Sequence, residues 1–289
     1  MVARMNYGLF LPLFGEFADP ARVVDVARQA EDAGWDGLFV WDHVYGGEGI
    51  PVGDAFVALA AIAASTSKIR MGPLVTPLTR RRPWVVARQT TSLDHLSRGR
   101  LIFGTGLGDE GWQGELSAFA ERAQEEEERV ALLDESLAVL LQFWSGKPVR
   151  HDGSWLHVDS AAFLPTPLQQ PRIRVWISAR WPRRTPIRRA ALVDGVLPIF
   201  TEERDMRALP DPVEVRKIRE EVLRCGAPPG HDLVLRGILG PSWTDEALDV
   251  LRVLENAGTT WWMESFERDE SPSSVFERVS AGPPRTGRA

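Results

Sequence analysis

Apolar and polar positions along the chain alternate between two rhythms. Short apolar runs read as strands, and stretches with an apolar residue every three or four positions read as helices. Tyr7 to Leu13 is the first such run. Asp19-Pro20 follows as an N-cap with proline at the first helical position. Val23, Val24, Ala27 and Ala30 then recur at helical spacing, and Gly34 ends the helix. Gly37 to Trp41 predicts strand two, Asp54 to about Thr66 a small-residue helix, and Ile69 to Thr76 strand three. Pro83 opens a helix to Leu96, before strand four at Leu101 to Gly106. A long helix from about Arg122 to Phe143 carries Val130, Leu133, Leu137 and Leu140 on one face, and its acidic start suits the helix dipole.

The rhythm breaks over residues 145–171, a polar stretch with Gly and Pro in which Trp155 to Val158 predicts a hairpin strand. It resumes with strand five at Arg174 to Ser178, a helix around Thr185 to Leu192, and strand six at Gly195 to Phe200. A helix at Pro212 to Arg224, strand seven at Leu233 to Leu239, a helix capped by Thr244 and stopped at Gly258, and strand eight at Thr260 to Met263 complete the series. Eight strands alternating with helices over roughly 250 residues predict an α/β chain folded as one (β/α)8 TIM barrel. The expected organisation is a single domain over 1–289, with an insertion at 145–171 between strands four and five and a flexible tail at 272–289. A doubly wound sheet is the competing α/β arrangement. It would usually place a phosphate-binding glycine turn after strand one, where this chain has Pro12-Leu13-Phe14-Gly15-Glu16.

Composition narrows the class. The chain has 289 residues and a formal net charge of −6, which argues against nucleic-acid partners, because these require a basic surface. One cysteine, Cys225, rules out a disulfide framework. The longest apolar stretch, Ala55 to Ala64, is far short of the ~20 residues of a membrane helix, and no signal-peptide pattern is read at the start. No membrane partner and a cytoplasmic location are therefore expected. Eleven Trp against two Tyr is an unusual ratio; core packing accounts for most indoles, and pocket walls are the alternative use. All but three of the basic residues are arginine.

In a barrel the chemistry belongs at the C-terminal ends of the strands. Asp42-His43, after strand two, is the strongest such signal: an acid beside an imidazole can anchor a polar ligand edge or move a proton. The plainer reading is a helix-capping Asp and a packing His. His95, His151, His157 and His231 fall at no predicted strand end, so no catalytic metal is expected. Gly104-Thr105-Gly106-Leu107-Gly108-Asp109 lacks the third glycine of a dinucleotide fingerprint, and close approach to a flat ligand is the better use of its glycines. Arg180, Arg183 and Arg184 follow strand five, where guanidinium forks suit a phosphate; a solvated basic loop is the alternative, there and at Arg80-Arg81-Arg82.

Three segments carry a family resemblance: AEDAGWDGLFVWDHV (30–44), GPLVTPLTRRRPWVVARQTTSLDHLSRGRLIFGTGLG (72–108), and FWSGKPVRHDGSWLHV with the later PLQQPRIRVWISARWPRRTPIRRAALVDGVLP. From about Tyr7 to Met263 the chain resembles the luciferase-like flavin-dependent oxidoreductases. The resemblance implies a barrel that holds FMN or the deazaflavin coenzyme F-420 at its C-terminal face. The flavin ring would rest on a bulge at Gly72 to Val75, often formed with a non-prolyl cis peptide, so Leu74, Val75 and Thr76 are expected to contact the cofactor, with Gly106 beside them. Asp42 and His43 match the pair of the deazaflavin-using branch, and Asp109 falls where some deazaflavin enzymes place an acid. Ser178, Ala179 and Arg180 match the phosphate loop, with Arg183 as a further grip. Relatives commonly have Gly-Gly where this chain has Ser178-Ala179, and a Cβ there limits the approach of a phosphate.

The leading expectation is a monooxygenase using reduced FMN and oxygen on a small organic substrate, with His43 as acid–base residue and Asp42 orienting it or touching the ring. Phe10, Trp41, Trp112, Trp181 and Glu264 would line the substrate pocket. With no NAD fingerprint, reduced flavin would come from a separate flavin reductase, and homodimers are common in the family. The alternatives are hydride transfer with coenzyme F-420 and a barrel that binds flavin or another ligand without turnover.

Overall fold

The computed structural model describes residues 4–108, 115–119, 125–200, 207–240 and 243–284. Strand β1 (Asn6–Leu11) leads through a 3-10 turn into α1 (Pro20–Ala33), whose first turn is capped by the Asp19 carboxylate accepting from Ala21 N–H. Then come β2 (Gly37–Val40), α2 (Ala55–Ser65), β3 (Arg70–Pro73), β4 (Thr76–Pro77), α3 (Pro83–Leu96) and β5 (Ile102–Gly106). A four-residue helix α4 (Glu115–Ala118) and the long α5 (Glu126–Trp144) precede the antiparallel hairpin of β6 (Val149–Asp152) and β7 (His157–Ser160). The chain continues through β8 (Arg174–Arg180), α6 (Arg184–Ala190), β9 (Gly195–Ile199), α7 (Pro212–Arg224), β10 (Asp232–Gly237), α8 (Asp245–Asn256), β11 (Trp261–Ser265) and α9 (Pro272–Ala281).

All strands except the hairpin form one parallel sheet in the order β3-β2-β1-β11-β10-β9-β8-β5-β4. β3 and β4 are two pieces of one barrel strand, interrupted at Leu74-Val75, where the peptide bond is cis. A parallel bridge from Met71 to Leu101 joins β3 to the start of β5, so eight strand positions close around a lumen. Gly72 permits this seam: a Cβ there would lie 1.7 Å from the Ile102 carbonyl oxygen. The α/β barrel expected from the alternating rhythm is therefore the observed fold.

Side chains alternate across the barrel wall with a period of two. On β11, Trp261 and Met263 point into the lumen with Phe39, Trp176 and Val234, whereas Trp262 packs in the layer between strands and helices. The adjacent indoles of the Trp261-Trp262 pair thus serve two different cores. The same parity sends Tyr7, Leu9 and Leu11 outward and Phe10 inward on β1.

The segment from 272, expected to be a flexible tail, is helical to Ala281. Ser271 caps it through Ser274 N–H, and Val275 and Val279 are buried, with Trp35 Nε1–H donating to the Val279 carbonyl. Among the described residues no helix is long and apolar enough to cross a membrane.

Candidate active site

A cavity of about 880 Å³ opens at the C-terminal ends of the strands. Its inner wall is apolar, made by Phe10, Trp41, Leu74, Val75, Leu197 and Ile199. Phe10 and Trp41 pack with ring centroids 5.3 Å apart. On the β8 side the wall is basic, with Ser178, Arg180, Arg183, Arg184 and Arg189. Arg236 of β10, two strands along the sheet from β8, also lines the cavity, its guanidinium 5.6 Å from the Phe10 ring centroid.

Asp42 and His43 line the cavity together but do different work. Asp42 follows β2 and is buried. Arg81 grips its carboxylate with two bonds (Nη2 to Oδ1 2.7 Å, Nε to Oδ2 3.1 Å), and Thr76 Oγ1–H donates to Oδ2 at 2.7 Å. Arg80 donates from Nη2 to both Oδ1 (3.1 Å) and the Asp42 carbonyl (2.8 Å). A carboxylate so engaged is an anionic anchor that ties β2 to β4 and its following turn.

His43 faces a different partner. Its Nδ1 lies 3.1 Å from Glu115 Oε2. Glu115 also accepts from the backbone N–H of Val44 and Tyr45, and it pairs with Arg80 Nη1 at 2.9 Å. Burial alone would raise this carboxyl. The His43 bond, the Arg80 charge and the Val44 N–H outweigh burial and hold its pKa below the ordinary value. An ionised Glu115 keeps the proton on Nδ1 and so makes Nε2 the ring's acceptor. Arg80 bridges Asp42 and Glu115, locking both acids to one loop.

The other residues singled out by sequence divide by parity. Ser178 and Arg180 share the inward register of Trp176, and both line the cavity. Ala179 shares the outward register of Ile177 and is buried in the helix-facing layer, so its methyl is turned away from the cavity. Ser178 Oγ fills the space beside Gly106, where a Cβ would lie 2.1 Å from it. Thr76 is fully buried behind Asp42 and does not line the cavity. Trp181 packs against the helix-facing core. Glu264 shares Trp262's outward register and does not reach the cavity. Arg278 of α9, Leu239 N–H and Trp262 Nε1–H take its carboxylate, although burial still raises its pKa. Asp109 and Trp112 lie outside the described residues.

Sequence reasoning missed Glu115. It belongs to no strand end; it opens the short helix α4, which stands between β5 and α5 in the chain and meets His43 in the fold. Arg236 was legible in principle, since Val234 two positions earlier points into the lumen. Glu126, in the acidic start of α5, lines the cavity, where its carboxylate pairs with Arg183 and lies 4.0 Å from Arg180 Nη1.

A parallel barrel whose C-terminal mouth combines an apolar wall, a held imidazole and an arginine wall is the build of a TIM-barrel enzyme site. The model of the luciferase-like monooxygenase family matches residues 5–232, and the chain belongs to that family. An F-420-dependent glucose-6-phosphate dehydrogenase of Gordonia bronchialis is 31% identical over 175 residues, covering 57% of this chain and 48% of that relative. The match thus spans about half the relative's length. Two solved structures share the fold. The coenzyme F-420-dependent tetrahydromethanopterin reductase of Methanopyrus kandleri has a TM-score of 0.75 at 17% identity, covering 97% of this chain and 99% of that one. The oxygenating constituent of 3,6-diketocamphane monooxygenase of Pseudomonas putida, a Baeyer-Villiger enzyme in complex with FMN, has a TM-score of 0.70 at 14% identity, covering 96% of each chain.

Proposed function

We propose that this chain is a coenzyme F-420-dependent oxidoreductase that exchanges a hydride with a small hydroxyl- or carbonyl-bearing substrate. This replaces FMN-dependent oxygenation, the leading expectation from sequence, with its stated alternative. The observation that carries the choice is the arginine wall. Arg180, Arg183, Arg184 and Arg189 line one side of the cavity, with Arg183 paired to Glu126 and Arg189 to Asp134, and that many guanidinium forks on one wall suit a ligand with more than one anionic group. Coenzyme F-420 carries a phosphodiester and an oligoglutamate tail, which such a wall suits. The sequence relatives whose names specify this coenzyme favour the same reading.

The residues present fit the group. Leu74 and Val75 would support one ring face, Trp41 and Phe10 would close the apolar chamber, and Arg180 and Arg183 would hold the phosphodiester. The outward turn of Ala179 removes its methyl from the steric objection raised by the loss of Gly-Gly, while Ser178 faces the cavity and offers its hydroxyl as a donor. When bound, a deazaflavin supplies two-electron hydride chemistry. His43 handles the proton: as a substrate hydroxyl becomes a carbonyl, its proton passes to Nε2, and in reverse Nε2 returns it. Ionised Glu115 stabilises the imidazolium that forms. The apolar chamber excludes water from the reacting carbon.

The hydride reading needs no separate flavin reductase; the oxygenating alternative does. Homodimeric assembly and a cytoplasmic site of action are proposed from family resemblance. The direct test is titration of purified protein with coenzyme F-420 and with FMN. Saturable binding of coenzyme F-420 without FMN retention is expected. Retention of FMN alone would return the reading to oxygenation, and binding of neither would favour a ligand-binding barrel without turnover.

A further inference from the structure

The acidic start of α5 meets the arginine wall directly. Glu126, Glu127 and Val130, on one face of the helix, line the cavity together with Arg180 and Arg183. Glu126 engages both guanidiniums: one carboxylate oxygen pairs with Arg183 Nη1, and the other lies 4.0 Å from Arg180 Nη1. Farther along the same helix Asp134 takes Arg189. Arg184 and Arg189 are shared with a second groove of about 640 Å³ on the flank of the barrel, which Arg188 and Arg224 also line. Arg180 and Arg183 line the cavity and not that groove, so they are the pair that a phosphate inside the cavity would use. Glu126 is therefore an acid built into the phosphate grip itself. The two guanidiniums bring two positive charges, and Glu126 cancels one. A guanidinium offers five N–H donors, so Arg183 can hold Glu126 and a phosphate oxygen at once.

We propose that Glu126 is a specificity-determining residue, which sets the charge of the grip so that the site takes a phosphodiester and disfavours a terminal phosphate monoester. The inference rests on the deazaflavin reading above and deepens it, naming the residue that keeps FMN, a monoester, out. A diester carries one negative charge, whereas a monoester carries about 1.5 to 2 at neutral pH. The cost of stripping water from an anion rises with the square of its charge, while attraction to the grip rises only in proportion. With the grip reduced to one net positive charge, the second charge of a monoester is desolvated beside a carboxylate and finds no match. Such a repulsive element raises specificity without adding a contact to the favoured ligand.

The test is equilibrium fluorescence titration of the full chain with three deazaflavins that share one ring: one without phosphate, one ending in a phosphate monoester, and one whose phosphate is capped as a methyl diester. The parent is expected to bind the diester more tightly than the monoester. Glu126→Gln keeps the shape of the side chain and removes its charge. At low salt it should tighten the monoester roughly tenfold, the diester only about threefold and the phosphate-free form not at all, because the gain scales with ligand charge. The change in the ratio should shrink as ionic strength rises. Glu127→Gln removes the same charge one position along α5, away from the Arg183 pair, and should shift the ratio far less. A parent that prefers the monoester would overturn the proposal, as would equal gains for both esters in Glu126→Gln or an equal shift in Glu127→Gln. A variant with lower Tm and three unchanged Kd values would reduce Glu126 to a structural tie and overturn it as well. Failure of parent and variant to bind any of the three would instead bring down the deazaflavin reading itself, with the charge filter falling as its consequence.

Discussion

At the scale of single residues, the site separates two acids that sequence proximity had paired with one histidine. Asp42 adjoins His43 in the chain, yet its carboxylate is spent on Arg80, Arg81 and Thr76. Glu115, 72 positions away, holds the imidazole. The role of His43 can be measured independently of binding. His43→Ala is expected to lower turnover by roughly 10²-fold or more, the scale of lost acid–base catalysis, while cofactor Kd changes little. Unchanged steady-state turnover would remove His43 from the chemistry. Arg180→Ala should do the reverse. Its guanidinium faces the cavity from the inward register of β8, so Kd for coenzyme F-420 should rise several-fold, on the scale of a charge-assisted hydrogen bond. Equal dissociation constants for parent and variant would count against the arginine wall as the phosphate grip.

At the scale of elements, the wall of the barrel is most exposed to change where β3 meets β5. There Gly72 faces the Ile102 carbonyl at a distance no side chain survives. Because the obstacle is backbone, no rotamer relieves it. Gly72→Ala should therefore destabilise by about 3 kcal/mol or more, read as a fall in Tm, with loss of the adjoining Leu74-Val75 surface. A variant with parental Tm would show that the seam is looser than described. The elements themselves were largely legible in sequence, because several helices carry their own start or stop chemistry: Asp19-Pro20, Asp54, Thr244 and Gly34 act through bonds within a few residues. The helix at Pro272–Ala281 was hidden for the opposite reason. Its Ser- and Arg-rich composition looks unstructured until α1 and the Glu264 carboxylate supply partners for Val279 and Arg278.

At the scale of the whole molecule, three carboxylates fasten distant loops to the barrel by accepting backbone N–H groups. Glu31 receives Ser67, Lys68 and Ile69; Glu135 receives Ser154, Trp155 and Leu156; Glu115 receives Val44 and Tyr45. In each, burial pushes the pKa up, but the hydrogen bonds prevail and leave it below the ordinary value of 4.5. A carboxyl depressed by folding contributes stability that is fully present above its unfolded pKa and is lost as pH falls through the folded one. Tm should therefore hold constant on approaching pH 4.5 from above and decline below it, with part of the decline absent in Glu31→Gln, whose Tm is already lower at neutral pH. A pH-independent difference between parent and variant would refute the linkage.

The sequence by itself determined the barrel, the order of its strands and the face that carries chemistry. Those follow from periodicity, capping and turn residues, which are local interactions written in neighbouring positions. It also placed His43, Ser178 and Arg180 at strand ends, and the period of two decided which side of the wall each faces. Only the tertiary structure decided that Glu115 rather than Asp42 holds the histidine, and that the arginines of α6 and α7 continue the cavity into a groove. Each of these depends on groups brought together across a closed barrel, where the pairing is set by the geometry of closure and leaves no mark in the spacing of the chain.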